Sequence, residues 1–363
     1  MDGGGTRRRS RQAECSAIIF GATRAQPAIS GRDGRVTAMS LSATGIGLVL
    51  GAGGTTGAAF HAGTLLALQH DLGWNPNSAD VIVGSSAGSI VGGLLRANLT
   101  TDDLSAWGSS VPALPDGQAS RELLNDVEVQ PHPIRPSRLR LPFPSPALLR
   151  RLLNPSQLRV HTAAMSLLPH GWINAAPSIE RIGELLDEWP ARTLWITAVR
   201  TSDARRVVFG RDDVDVGLGR AIAASCAIPA VFRPVAIGRH RYIDGGAHSP
   251  TNADLLIDSG VDTAVILSPM SGQPGALRHH RPDHLLRGLF SRRLRSECAQ
   301  LERAGIKVHI FEPDGATLDV MGINALDRAR SPRVHGRAFL AAGTHIADNE
   351  PLRTRLPGRH ALA

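Results

Sequence analysis

The stretch Gly84-Ser85-Ser86-Ala87-Gly88 sets a serine between two glycines in the spacing Gly-x-Ser-x-Gly. It follows an apolar run at 81–83 and precedes a second apolar stretch that reaches about residue 96. A strand that turns abruptly into a helix presents the serine hydroxyl at the turn, and glycine on either side relieves the crowding. The helix N-terminus then points amide hydrogens and the positive end of its dipole at negative charge developing beside the hydroxyl. This is how a nucleophile for acyl transfer is held, with Ser86 Oγ as the attacking atom.

Two further glycine-bearing stretches supply what such a serine needs. Gly51-Ala52-Gly53-Gly54-Thr55-Thr56-Gly57 supports three readings: a plain strand-to-helix turn, a dinucleotide phosphate loop with Asp71 on the ribose, or an oxyanion hole. In the last, the Gly53 and Gly54 amides bind a tetrahedral intermediate. The dinucleotide fingerprint Gly-x-Gly-x-x-Gly fails in register, because a match begun at Gly51 ends on Thr56. It also leaves Ser86 without a task. Asp244-Gly245-Gly246 is either an ordinary Asp-Gly turn or a carboxylate base for Ser86. An aspartate with a pKa of about 3.9 is a poor base at neutral pH, so the role requires burial and a hydrogen bond to Ser Oγ. Histidine is the usual base. His248 follows Asp244 closely, and His309 and His335 have the chain order of a Ser-Asp-His triad.

Elements must bring these pieces together. The ordered chain opens with the apolar run Ile46–Leu50, then the glycine loop and a helical pattern to about residue 69. Strands are expected at 81–83, 194–199, 207–209, 242–243, 263–267 and 308–311, and helices at 178–189, 219–224 and 283–304. Alternation of strand, glycine turn and helix implies an α/β fold of three layers, α/β/α, around a mostly parallel sheet. Residues 98–177 change character: prolines recur and short apolar pieces alternate with arginine, as in an insertion that is a lid or a peripheral subdomain. Residues 1–38 read as a disordered leader, with Met39 as an alternative start, and 313–363 as a C-terminal segment. There are no internal repeats.

Composition limits the rest. With 363 residues, 42% hydrophobic, the chain can bury the core of one large α/β domain or two smaller ones. No run approaches the roughly 18–20 apolar residues of a membrane span, and the first 38 residues lack the apolar core of a signal peptide. Cys15, Cys226 and Cys298 are odd in number and scattered, which argues against a disulfide framework or cysteine metal site and for a reducing, cytoplasmic setting. Neither zinc nor calcium spacing is present, so no metal and no cofactor are expected. The net charge is +8, and Lys307 is the only lysine among 40 basic residues. Arginine clusters at 135–159 and 278–295 reflect either a compositional preference or an anionic partner. With 4% aromatics and no nucleic-acid module, nucleic acid is disfavoured, and an anionic membrane surface fits at least as well.

Taken in order, the glycine loop, Gly-x-Ser-x-Gly and Asp-Gly-Gly resemble the patatin-like phospholipase family across about 45–312, without the 98–177 insertion. Leu48-Val49-Leu50 before the loop, His61-Ala62-Gly63 after it, the 224–235 block beginning Ala224-Ser225-Cys226 and Asn252 beyond Asp244 agree with that resemblance. It implies a serine acyl-ester hydrolase acting on phospholipid or other lipid esters through a Ser86–Asp244 dyad without histidine. Gly53 and Gly54 would form the oxyanion hole, with Gly57, Gly84, Gly88, Gly245 and Gly246 as motif glycines. Two positions depart from the pattern: Ala52 replaces the first glycine of the loop, and Thr56 replaces its usual Arg or Lys. Thr56 keeps open a catalytically silent lipid-binding protein on the same fold. The arginine-bearing 98–177 segment, with Leu148, Leu149, Leu152 and Leu153, is expected either to dock on an anionic membrane or cover the acyl pocket, or to be an ordinary solvated face.

Overall fold

The computed structural model describes residues 45–109, 132–133, 145–152, 160–185, 188–277 and 282–356. The leader, Met39, the arginines at 135–140, Arg159, Arg278 and Arg281 lie outside the described residues. The elements begin with β1 (Ile46–Leu50), α1 (Gly54–Leu72), β2 (Val81–Gly84), α2 (Ala87–Arg96) and α3 (Thr101–Ser109). Next come β3 (His132–Pro133), α4 (Pro146–Leu152), α5 (Val160–Ser166), β4 (Ile173–Asn174) and α6 (Ala176–Glu180). Then follow β5 (Thr193–Arg200), β6 (Arg205–Phe209), α7 (Leu218–Ser225), β7 (Val235–Ile237), β8 (His240–Asp244) and β9 (Thr263–Leu267). The last are α8 (Pro282–Arg303), β10 (Lys307–Phe311), α9 (Gly315–Met321), α10 (Ser331–Ala347) and α11 (Glu350–Arg355).

Five strands run parallel in the order β10-β9-β1-β2-β5, and β6, β7 and β8 complete the sheet antiparallel. Both faces are covered, which is why β1 reads as an unbroken apolar run. Leu48 and Leu50 join one core with Leu65, Leu68, Leu94, Ile222 and Val334, from α1, α2, α7 and α10. Val49, Val83 and Ile266 face the other way and pack with Leu294, Cys298 and Leu301 of α8. The α/β expectation holds: helices flank a mostly parallel sheet in three layers.

β5 determines where the chemistry sits. β2 runs parallel to it and ends with Gly84 opposite Ile196; β8 runs antiparallel and ends with Asp244 opposite Ala198. Two strands arriving from opposite directions therefore stop two positions apart on one template, with Thr197 between them.

Three expectations change. The helix expected over 178–189 is α6 followed by a tighter 3-10 turn at Arg181–Leu185. There Gly183 lies so close to α7 that a Cβ would stand 2.8 Å from Gly219 N, leaving no room for a regular side-chain-bearing turn. Leu148, expected to help dock or cover the pocket, is 1% exposed and packs with Ala163 and Ala204. The side chains of Leu149, Leu152 and Leu153 lie outside the described residues. Finally, the C-terminal segment carries α9, α10 and α11, and Val334, Ala338, Ala342 and Ile346 of α10 enter the same core as α1.

Candidate active site

Ser86 sits at the junction of β2 and α2 with φ 53° and ψ −122°. Positive φ on a residue with a Cβ costs about 1–3 kcal/mol and persists only where the surroundings enforce it. Here they do. The Ser86 amide donates to Ser225 Oγ at 2.9 Å, and Ser85 N–H donates to Leu50 O at 3.0 Å. The neighbouring glycines are steric necessities: a Cβ on Gly88 would stand 1.9 Å from Leu50 O, and one on Gly84 2.7 Å from Ser89 Cα. Although Ser86 occupies the N-cap position, its hydroxyl does not cap α2. It lies close enough to the Asp244 carboxyl to lower that group's pKa.

Asp244 ends β8 and is 5% exposed. Burial pushes its carboxyl pKa up to about 6, even though the Ser86 hydroxyl and the Gly246 amide, which donates to Oδ1 at 2.7 Å, pull it down. The carboxylate is thus ionised at neutral pH yet more basic than an exposed aspartate, as a general base requires. Gly245 begins the turn after it, pressed against Thr197.

The third piece lies alongside. Gly51 N–H donates to Leu267 O at 3.0 Å and Ala52 N–H to Pro250 O at 2.7 Å, tying the glycine loop to the ends of its neighbours. Gly57 N–H donates to Gly53 O at 2.8 Å, closing the first turn of α1. Among the described residues, no acceptor takes the amide hydrogens of Gly53 and Gly54. Gly54 has φ +59°, and a Cβ on Gly53 would stand 2.7 Å from Pro269 Cγ, so only glycine fits either position. Two adjoining N–H groups therefore stand without an acceptor at a helix N-terminus, which favours an anion. Ala52 is accommodated because its methyl meets Gly246, which has no side chain. Thr56 is buried, and its amide donates to Ala325 O at 3.0 Å.

Of the residues behind these three pieces, sequence reasoning missed Thr197 and Arg206, and it met Asn252, His61 and Cys226 only as positions that agree with the resemblance, with no role. Thr197 Oγ1 hydrogen-bonds Ser85 Oγ at 2.7 Å, and Asn252 Nδ2 donates to Ser85 Oγ at 3.0 Å and Ser249 O at 2.6 Å. Arg206 donates to Asn252 Oδ1 at 3.2 Å and holds Asp254 with both terminal nitrogens. The elbow is thereby tied to the aspartate turn. His61 Nε2 bonds Gly51 O at 2.8 Å; burial lowers its pKa to about 4, so the ring is neutral and donates through Nε2. Burial also raises the Cys226 thiol pKa strongly, reinforced by the Asp244 charge, which keeps it protonated beside Ser89. A buried Thr within a strand gives no sequence signal until the register of β5 is known.

Among the described residues, no histidine hydrogen-bonds Ser86 or Asp244. The His248 carbonyl accepts from His161, and His335 bonds Ser105 over α1. His309 lines a cavity of about 790 Å³ at the β10 edge with Lys307, Glu350 and Arg355, which none of the three pieces touches. No group of three His, Cys, Asp or Glu among the described residues could hold a metal ion.

A family model described as patatin-like phospholipase matches residues 48–257, more than half the chain. No match was found among curated proteins. Among solved structures, the chain is similar to VipD from Legionella pneumophila, with 12% identity and a TM-score of 0.38 over 84% of this chain and 67% of that one. It is also similar to the type III effector protein ExoU, with 18% identity and a TM-score of 0.34 over 86% of this chain. It spans 53% of the ExoU chain, about half its length.

Proposed function

Because the chain belongs to the patatin-like phospholipase family, we propose that it hydrolyses lipid esters through a Ser86–Asp244 dyad. The observation that carries this reading is the Ser86 hydroxyl, strained at its elbow, beside a buried carboxylate of raised pKa. Ser86 Oγ attacks the ester carbonyl as Asp244 takes its proton. The oxyanion forms against the Gly53 and Gly54 amides, whose free hydrogens and helix dipole stabilise it without reorganisation. As the tetrahedral intermediate collapses, Asp244 returns the proton to the departing alcohol, leaving an acyl group on Ser86. Water then enters and Asp244 deprotonates it. A second collapse frees the fatty acid and restores the serine proton.

Thr56 does not abolish the donors of this mechanism. Its amide and hydroxyl face Ala325 O, so the position that carries a cation in the family is used here to fasten the loop from the C-terminal side. Hydrolysis of a p-nitrophenyl acyl ester series, with fluorophosphonate labelling alongside, tests the reading. Wild type is expected to label and turn over, and Ser86→Ala to do neither, with a loss on the order of 10⁴-fold or more. Asp244→Asn should lose turnover comparably, while His248→Ala keeps it. Wild type that neither labels nor hydrolyses any chain length would sink the proposal and favour a silent lipid-binding protein.

A further inference from the structure

Five large apolar side chains stand in water on two segments, one touching the glycine loop directly and the other tied to it through Pro269. Leu285, Leu286 and Leu289, on the first two turns of α8, are 72%, 48% and 50% exposed. Ile323 and Leu326, between α9 and α10, are 67% and 40% exposed. Single exposed leucines need no explanation, whereas a cluster of them marks an interaction site. The same turns of α8 are anchored on the inner side: buried Arg287 donates to Pro269 O at 2.8 Å and Ser271 O at 3.1 Å. Pro269 is the ring against which Gly53 and Gly57 pack. On the other segment, Ala325 O receives the Thr56 amide and lies 2.6 Å from the point a Gly54 Cβ would occupy. The Ile323–Leu326 segment therefore borders the loop that carries the two free amides, and the α8 segment is joined to that loop through Pro269.

The exposed cations complete the pattern. Arg292 is exposed and continues the Leu285–Leu289 face at the next turn, while its neighbours Arg293 and Arg295 are engaged by Glu297 and Glu312. Arg333 is exposed on the first turn of α10, just beyond Leu326. We propose that this rim docks the protein on an anionic phospholipid surface. Leucine and isoleucine enter the boundary between headgroups and acyl chains, and Arg292 and Arg333 contact phosphates. A protein partner is the poorer fit, since protein hot spots are led by Trp and Tyr and leucine is under-represented there. The proposal rests on the acyl-hydrolase reading, because it places the membrane where a lipid ester must arrive at the oxyanion loop.

The test is flotation of the full chain carrying Ser86→Ala, which leaves lipids intact, with phosphatidylcholine vesicles with and without phosphatidylglycerol. Binding should require phosphatidylglycerol. It should fall at least about tenfold in Leu285→Glu/Leu289→Glu/Ile323→Glu and about fivefold in Arg292→Glu. Undiminished flotation of the triple variant overturns the proposal, as does a dimer by light scattering that the triple substitution dissolves. With Ser86 restored, the triple variant should hydrolyse a soluble short-chain ester within about twofold of wild type yet lose vesicle hydrolysis in step with binding. Hydrolysis of the soluble ester without flotation overturns docking and leaves the hydrolase reading intact. Flotation with neither ester nor vesicle hydrolysis overturns the hydrolase reading and leaves docking standing.

Discussion

Asp244 is the residue whose chemistry depends most on its surroundings. Its pKa near 6 is a balance: burial drives it up, and the nearby Ser86 hydroxyl and the bond from the Gly246 amide hold it down. Removing the Ser86 hydroxyl removes one of the two groups that favour the ionised form of a buried carboxylate, and a charge-assisted hydrogen bond contributes about 1.5–3 kcal/mol. In Ser86→Ala the Asp244 pKa should therefore climb above its wild-type value, read from the carboxyl carbon in an NMR titration. An unchanged or lower value would mean the hydroxyl does not donate to this carboxylate. Wild-type kcat/KM should rise with pH through about 6 and level off above it, since the free enzyme needs Asp244 ionised. Serine, aspartate and the loop glycines were legible because each belongs to a spacing with its own mechanical reason. Thr197, Ser225 and His61 have no such spacing: each acts through hydrogen bonds to residues elsewhere in the chain, which only the fold brings within reach.

At the scale of elements, β5 aligns the dyad and Thr197 is the peg between the two strand ends. Thr197→Val keeps the volume and β-branching of the strand but leaves Ser85 Oγ and Asn252 Nδ2 with one partner fewer. The variant should fold with a loss of about 1–3 kcal/mol and lose kcat more than KM, as expected when the relation of nucleophile to base loosens. Equal losses in both, or none, would deny it a positioning role. Gly88→Ala tests the opposite limit: its methyl would meet the backbone of β1 rather than a side chain that can move, so chymotrypsin should digest it where wild type resists. The strands were readable because burial on both faces makes them continuously apolar. α10 was not, since its core positions include Ala338 and Ala342, and small residues between arginines carry little hydropathy signal. β7 is only three residues long, and the split of α6 from its 3-10 turn follows from contact with Gly219.

Across the whole molecule, burial of two ionisable groups in one catalytic layer makes stability depend on pH in opposed ways. Asp244 has its folded pKa raised from 3.8 to about 6, so the folded state holds a proton that the unfolded chain releases. Its cost is absent below pH 4, grows as pH rises through that window, and reaches about 3 kcal/mol above pH 6. His61 has its folded pKa lowered from 6.5 to about 4, so stability is fully present above pH 6.5 and falls by a similar amount as pH drops toward 4. In wild type these two effects largely cancel between pH 4 and 6.5. Asp244→Asn removes one of them while keeping an acceptor for the Gly246 amide and the Ser86 hydroxyl. The inactive variant should therefore be more stable than wild type by about 3 kcal/mol at pH 7–8, with the difference vanishing near pH 4. Urea unfolding of both proteins across pH 4 to 8 reads that difference directly. A gap that stays constant with pH would mean Asp244 is not the buried, charged base on which the proposed chemistry depends.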